Sequence, residues 1–161
     1  MRNLLSTKDQ RQLRLMETLI QHRDWLKLHE LADMLGCTER ILKSDLNELR
    51  AAFPTIDIQS SINGIMIDLE VNTSFEDVYQ YFLAHSQSFR LLEYLFFNEG
   101  LPIYRTIENL HSSNANLYRL GRNITKTLSS QFQIELSFTP SEIRGNEIDI
   151  RYFFAQYFSE R

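Results

Sequence analysis

What this sequence lacks narrows it before any motif does. Its 161 residues include one cysteine, Cys37, so an internal disulfide framework is excluded and a reducing compartment suits the chain. No apolar run approaches the roughly 18 residues that a membrane-spanning helix needs. The opening MRNLLSTKDQRQLR has no apolar stretch of signal-peptide kind. A cytoplasmic protein with no membrane association is therefore expected. The five glycines, Gly36, Gly64, Gly100, Gly121 and Gly145, stand singly, which leaves no phosphate-cradling loop. No Gly-x-Ser-x-Gly occurs, and His29-Glu30-Leu31-Ala32-Asp33 offers Asp where the zinc motif needs a second histidine. Cys37, with no second cysteine, reads as a small turn residue rather than a nucleophile. No enzyme, metal site or cofactor is expected. Positive charge is also short: 17 Lys and Arg against 21 Asp and Glu give a net charge of -4. That excludes indiscriminate nucleic-acid binding by bulk charge, but not a local basic face.

What is present is a folding composition, 43% hydrophobic and 24% charged, enough for one ordinary domain or two small ones. Ser6 or Thr7 can cap a first helix, in which Leu13, Met16, Leu19 and Ile20 recur at helical spacing and which ends near His22. Trp25 and Leu26 read as core plugs in the connection. Leu28, Leu31, Met34 and Leu35 form the stripe of a short helix stopped by Gly36, since glycine tolerates positive φ. Thr38 then caps a longer helix whose Ile41, Leu42, Leu46, Leu49 and Phe53 share one arc. Asp45 lies near that arc and reads as structural. The opposite face carries Arg40, Lys43, Ser44 and Asn47, with Arg50 on its flank, and these side chains can donate to phosphate oxygens or base edges. The bland alternative for this face is an ordinary solvated helix surface.

Pro54 ends the helix. Ile56 and Ile58, then Ile65, Ile67 and Leu69, alternate around Ser60-Ser61-Ile62-Asn63-Gly64, where Asn-Gly suits the centre of a type I′ hairpin turn. A helix, a helix-turn-helix and a hairpin in that order make a winged helix, which favours DNA binding far more than the helix pair alone. The wing tip has neither Arg nor Lys, so hydrogen bonds rather than charge are expected from it. Thr73-Ser74 caps a connecting helix with Phe75, Val78, Tyr79, Phe82 and Leu83 on one face.

The pattern then repeats. A helix from Phe89 to Phe97 is closed by Glu99-Gly100, and Pro102 suits the first turn of a short helix bearing Ile103, Ile107 and Leu110. His111-Ser112-Ser113-Asn114 opens a longer helix, Asn114 to Gln131, lined by Leu117, Leu120, Ile124 and Leu128. A shift of about 75 positions sets Leu35 on Leu110, Thr38 on Ser113, Leu42 on Leu117, Leu49 on Ile124 and Phe53 on Leu128. Opposite the second stripe, Arg119, Arg122 and Lys126 fall within an arc of about 60°, and from Ser112 to Phe132 there is no Asp or Glu. Asn116 and Asn123 border them. A second, irregular wing follows: Ile134, Leu136 and Phe138, the turn Thr139-Pro140-Ser141, then Glu142 to Arg144. Asn146 can cap a last helix whose Tyr152, Phe153, Phe154, Tyr157 and Phe158 exceed what one small module readily buries. A partner surface is expected there.

With TERILKSDLNEL in the first module and EIRGNEIDIRYFFAQYF closing the second, the chain resembles the N-terminal DNA-binding region of the Mga family, regulators of virulence and metabolism in Gram-positive cocci. The resemblance implies a mainly α fold with small β-hairpin wings, two tandem winged helix-turn-helix domains joined by a helix. It divides the chain into a first module at 1–71, a connecting helix at 72–87, a second, Mga-type module at 88–146 and a C-terminal helix at 147–161. It further implies phosphotransferase-system regulatory domains beyond Arg161, through which alone partners of that system would act. No phosphorylated histidine is carried onto His22, His29, His85 or His111. The expected function is sequence-selective binding of promoter duplex DNA by Thr38, Arg40, Lys43, Ser44, Asn47, Arg50, Asn116, Arg119, Arg122, Asn123 and Lys126, in a homo-oligomer. The alternative is a winged-helix interaction or oligomerisation module with no direct DNA role.

Overall fold

The structure, a computed structural model, describes residues 1–68 and 73–161. Leu69, the last residue of the expected wing alternation, and the expected boundary at 71/72 lie outside the described residues. The chain divides into two compact units, Thr7–Phe82 on one side and Leu83–Arg161 together with Met1–Ser6 on the other.

The first unit contains α1 (Thr7–His22), α2 (Leu28–Leu35), α3 (Glu39–Ala52) and an antiparallel hairpin of β1 (Asp57–Ser61) and β2 (Gly64–Asp68). Leu13, Met16 and Leu19 of α1 are buried as expected, and Leu15 and Gln12 join them. The stripes of the next two helices are narrower than their apolar residues imply. Met34 is 50% exposed and Ile41 40% exposed, while Ala32 takes a core place on α2. On α3 the buried arc is centred on Leu42, Asp45, Leu46 and Leu49, which leaves Ile41 about 90° off its midline. Gly36 closes α2 at φ 64, as its freedom from a Cβ penalty allows.

The hairpin departs from the sequence expectation in its turn. Ser61 pairs with Gly64, so Ile62-Asn63 forms the loop, and neither residue has the positive φ that a type I′ turn requires. Gly64 is present for another reason. Leu26 pairs with Ile65, each amide donating to the other's carbonyl at 2.8 Å, and a Cβ on Gly64 would lie 2.1 Å from the Leu26 carbonyl oxygen. Leu26 is thus a half-buried third rung beside the wing, and Trp25 is likewise half-buried rather than a core plug.

α4 (Phe75–His85) begins with a reciprocal cap: the Ser74 amide donates to Asp77 Oδ2 at 2.8 Å and the Asp77 amide to Ser74 Oγ at 3.3 Å. The bond from the Ser74 amide, with a second from the Ser74 hydroxyl to Asp77 Oδ2 at 3.0 Å, holds the Asp77 carboxyl below the usual carboxylate range. The second unit follows with α5 (Gln87–Phe97), α6 (Ile103–Leu110), α7 (Asn114–Ser129), the hairpin β3 (Glu135–Phe138) and β4 (Ser141–Arg144), and α8 (Glu147–Glu160). Adding 75 to the bounds of α2, 28 and 35, gives 103 and 110, the bounds of α6. The same shift carries Gly36 onto His111, which takes the left-handed conformation at φ 48, and Leu26 onto Leu101, which bridges to Ser141. Pro102 stands just before α6, at its cap, rather than in its first turn, and α7 stops two residues short of Gln131.

Two packing features of this unit are absent from the periodicity. A short 3-10 turn at Arg2–Leu4 leads Leu4 and Leu5 into its core, and the Met1 amino group lies 3.2 Å from Glu160. On α8, Phe153, Phe154 and Tyr157 are buried, Tyr157 stacking on Phe89 with centroids 5.3 Å apart. Tyr152 and Phe158 are exposed, and Phe158 joins Phe96 and Phe97 of α5 in an exposed cluster of rings 5.0 to 6.3 Å apart. The Tyr157 hydroxyl donates to Glu93, which Arg161 also meets. Burial, reinforced by the Glu93 charge, pushes the phenol up to about 12.

Candidate nucleic-acid interface

A helix offered to DNA needs its back anchored and its front free. The anchor of α3 is Asp45, 2% exposed, whose carboxylate accepts from Arg11 Nε at 2.6 Å, Arg11 Nη2 at 3.0 Å and Gln12 Nε2 at 3.0 Å. The bonds to Asp45 raise the Arg11 pKa above its already high ordinary value. One turn on, Glu48 accepts from Lys8 and Gln12, which together hold its carboxyl below the ordinary range. The two ends of α3 are also fixed. Thr38 Oγ1 accepts from the Ile41 amide at 3.2 Å, and at the other end Arg50 reaches the wing.

The front of α3 presents Arg40, Lys43, Ser44 and Asn47, all exposed. Among the described residues, the Arg40 and Lys43 side chains make no hydrogen bond or ion pair. Arg50 is engaged: its Nε donates to the Ile58 carbonyl at 3.1 Å, Nη2 to Ser60 Oγ at 2.5 Å and Nη1 to Asn47 Oδ1 at 3.3 Å. It ties the wing to the helix and leaves only part of its donor fork for anything else.

α7 has the same plan with other chemistry. Ser113 Oγ accepts from the Asn116 amide at 3.2 Å, and Asn116 in turn bonds Ser112 and steadies Arg119, whose Nη2 donates to Asn116 Oδ1 at 2.7 Å. Arg122, Asn123 and Lys126 are exposed, and among the described residues the Arg122 and Lys126 side chains are unpaired. Shifting by 75 sets Lys43 on Tyr118, Ser44 on Arg119 and Asn47 on Arg122. The periodicity did not single out Tyr118, because an aromatic at helical spacing reads as core; it lies on the exposed face, edge-on to Phe138 at 5.3 Å. The position of Arg50 becomes Thr125, whose Oγ1 accepts from the Leu136 amide at 3.0 Å, so each module tethers its first wing strand at the same helix position. Gly121 lets that wing close, since a Cβ there would come within 2.6 Å of the Phe138 ring. In the groove so formed Arg144 is paired with Glu142 at 2.5 Å, while Glu135 is exposed. His29 and Asp33 lie exposed on α2, and among the described residues no three His, Cys, Asp or Glu side chains converge.

Two capped second helices, each backed by a core and tethered to a hairpin, define a tandem winged helix-turn-helix region, the architecture of DNA-binding regulators. The family described as the Mga helix-turn-helix domain matches residues 71–158, and the M protein trans-acting positive regulator (MGA) HTH domain matches residues 6–65. The chain belongs to the Mga family. It is 48% identical over 161 residues to a putative trans-acting regulator of Streptococcus pneumoniae serotype 4, matching all of this chain and 33% of that protein. Two Bacillus anthracis proteins are more distant. The capsule synthesis positive regulator AcpA is 26% identical across 93% of this chain and 31% of its own length, and AcpB is 22% identical across 87% and 29%. The chain thus spans about a third of the length of these curated relatives. Among the described residues no helix is long and apolar enough to cross a membrane.

Proposed function

We propose that the chain binds duplex promoter DNA with sequence selectivity, α3 and α7 each entering a major groove, as the N-terminal part of a longer cytoplasmic transcriptional regulator. The observation that carries this is the exposed face of α7, where Arg119, Arg122 and Lys126 project from an acid-free segment. α7 supplies most of the grip on phosphate. α3, with one Arg, one Lys, a hydroxyl and an amide, is better suited to choosing bases than to holding backbone. Thr38 and Asn116 act at the helix N-termini, where backbone amides face an anion, Asn123 flanks the basic face, and Arg50 positions the wing. Any partners from the phosphotransferase system would act through domains outside this chain.

The test is a fluorescence-anisotropy titration on promoter fragments at several salt concentrations. Each of Arg119→Ala, Arg122→Ala and Lys126→Ala that removes a phosphate contact lowers the log–log salt slope by about 0.9. Unchanged affinity and slope in all three variants would rule this face out. A second role, self-association, is favoured by the exposed rings of Phe96, Phe97 and Phe158. It predicts a dimer mass by light scattering that Phe97→Ser returns to that of a monomer. A wild-type monomer, or a dimer unaffected by the substitution, would discard it.

A further inference from the structure

The residue that folding least explains is at the tip of the first wing. Ile62 is 100% exposed, between Ser61 and Asn63 in the two-residue loop. A β-branched apolar side chain wholly in water contributes nothing to the core and adds a solubility liability. Its surroundings are nonetheless firmly built. The Asn63 amide donates to Ser61 Oγ at 3.0 Å, Leu26 pairs with Ile65 at the hairpin base, and Arg50 bonds both Ile58 and Ser60 from α3. The tip is therefore carried at a set position beside the exposed face of α3, two residues or about 7 Å of strand past the Ser60 clamp.

We infer that Ile62 is an apolar wedge that enters the minor groove next to the major groove occupied by α3. This rests on the proposal that the chain binds duplex DNA. An uncharged tip gains little from phosphate, but an aliphatic side chain gains by leaving water against the sugar and base edges that wall the minor groove. That groove is about 6 Å wide, which suits one side chain on a tight turn. Ser61 and Asn63 flank it with a hydroxyl and an amide able to meet the acceptors on the groove floor. Inserted side chains of this type partly unstack a base step, and pyrimidine–purine steps yield most readily. The second wing turns through Thr139-Pro140 and carries no branched aliphatic side chain like Ile62 at its tip.

The experiment compares wild type with Ile62→Ala, Ile62→Asp and the Arg122→Ala, Lys126→Ala pair on one promoter fragment, by anisotropy and by hydroxyl-radical footprinting, which reads the minor groove. Ile62→Ala should bind about tenfold more weakly with an unchanged salt slope and lose one patch of minor-groove protection beside the α3 footprint; Ile62→Asp should bind more weakly still. Both should keep the wild-type urea midpoint, since the side chain packs against nothing. Wild-type affinity and footprint in Ile62→Ala would overturn the wedge while the response of the Arg122, Lys126 pair upheld DNA binding. Absence of wild-type binding to any duplex would remove both. A change confined to molecular mass in Ile62→Asp would make the tip a protein contact and overturn the wedge as well.

Discussion

Asp45 shows how a charged residue can hold a helix from behind while its front stays exposed. It sits among leucines on the buried side of α3 and holds both Arg11 and Gln12 of α1. Because Arg11 remains partly in water, the pair is less costly to maintain than a fully buried one, yet losing Asp45 removes three charge-assisted hydrogen bonds at once and leaves Gln12 with Glu48 alone. Asp45→Ala should lower stability by about 2 to 3 kcal/mol, and Asp45→Asn, which keeps an acceptor, by less. Trp25, the one tryptophan of the chain, lies in this unit and reports its urea unfolding directly. The acid's structural role was legible from its place on the helical wheel. Its partners were not, since Arg11 and Gln12 are 34 and 33 residues away and belong to a stripe in which glutamine reads as surface.

At the scale of elements, the wings show most clearly where local sequence stops being informative. Asn63-Gly64 carries the local signature of a hairpin turn, but the chain places the turn one residue earlier. Gly64 answers to the approach of Leu26, a contact across 38 residues that no turn propensity encodes. Gly64→Ala must therefore both hold a side chain at φ 121 and move a paired backbone, so a loss of about 3 kcal/mol or more is expected, again read from the Trp25 transition. A wild-type midpoint in that variant would show the Leu26 rung to be dispensable. The helices were easier. The caps at Thr38 and Asn146, and the buried Leu42, Leu49, Leu117 and Ile124, follow from spacing alone, while the stretch His111 to Asn114 offered several caps of which the structure uses Ser113. Arg50 was legible as a cation on a helix flank but not as the wing's tether, because the oxygens it bonds belong to strands whose path the periodicity leaves open.

Over the whole molecule, the repeat is clearer in shape than in residues. The bounds of α2 and α6, the left-handed residue after each, and the bridging leucine before each keep a spacing of 75, while the exposed faces of α3 and α7 have diverged in charge. The five closing aromatics were expected to overfill one module. Three are buried, Phe154 against Phe96 and Tyr157 against Phe89 of α5 and Phe153 against Phe132, so the excess is confined to Tyr152 and Phe158, together with Phe96 and Phe97 of α5. Nothing in the pattern of MRNLL announced that Leu4 and Leu5 belong with the later unit rather than the one they precede. Leu4→Ala with Leu5→Ala should cost about 4 kcal/mol or more in the second unit. Circular dichroism would show an early transition there while the Trp25 signal keeps its midpoint; a shift of the tryptophan transition instead would place the two leucines wrongly.

That leading segment has a practical bearing on anyone handling the protein. An affinity tag or fluorophore fused ahead of Met1 would be attached, in effect, to the unit that holds α7 and not to the one that holds α3, and on the division of labour proposed above a linker that pulls on the first five residues would weaken phosphate contact more than the choice of bases.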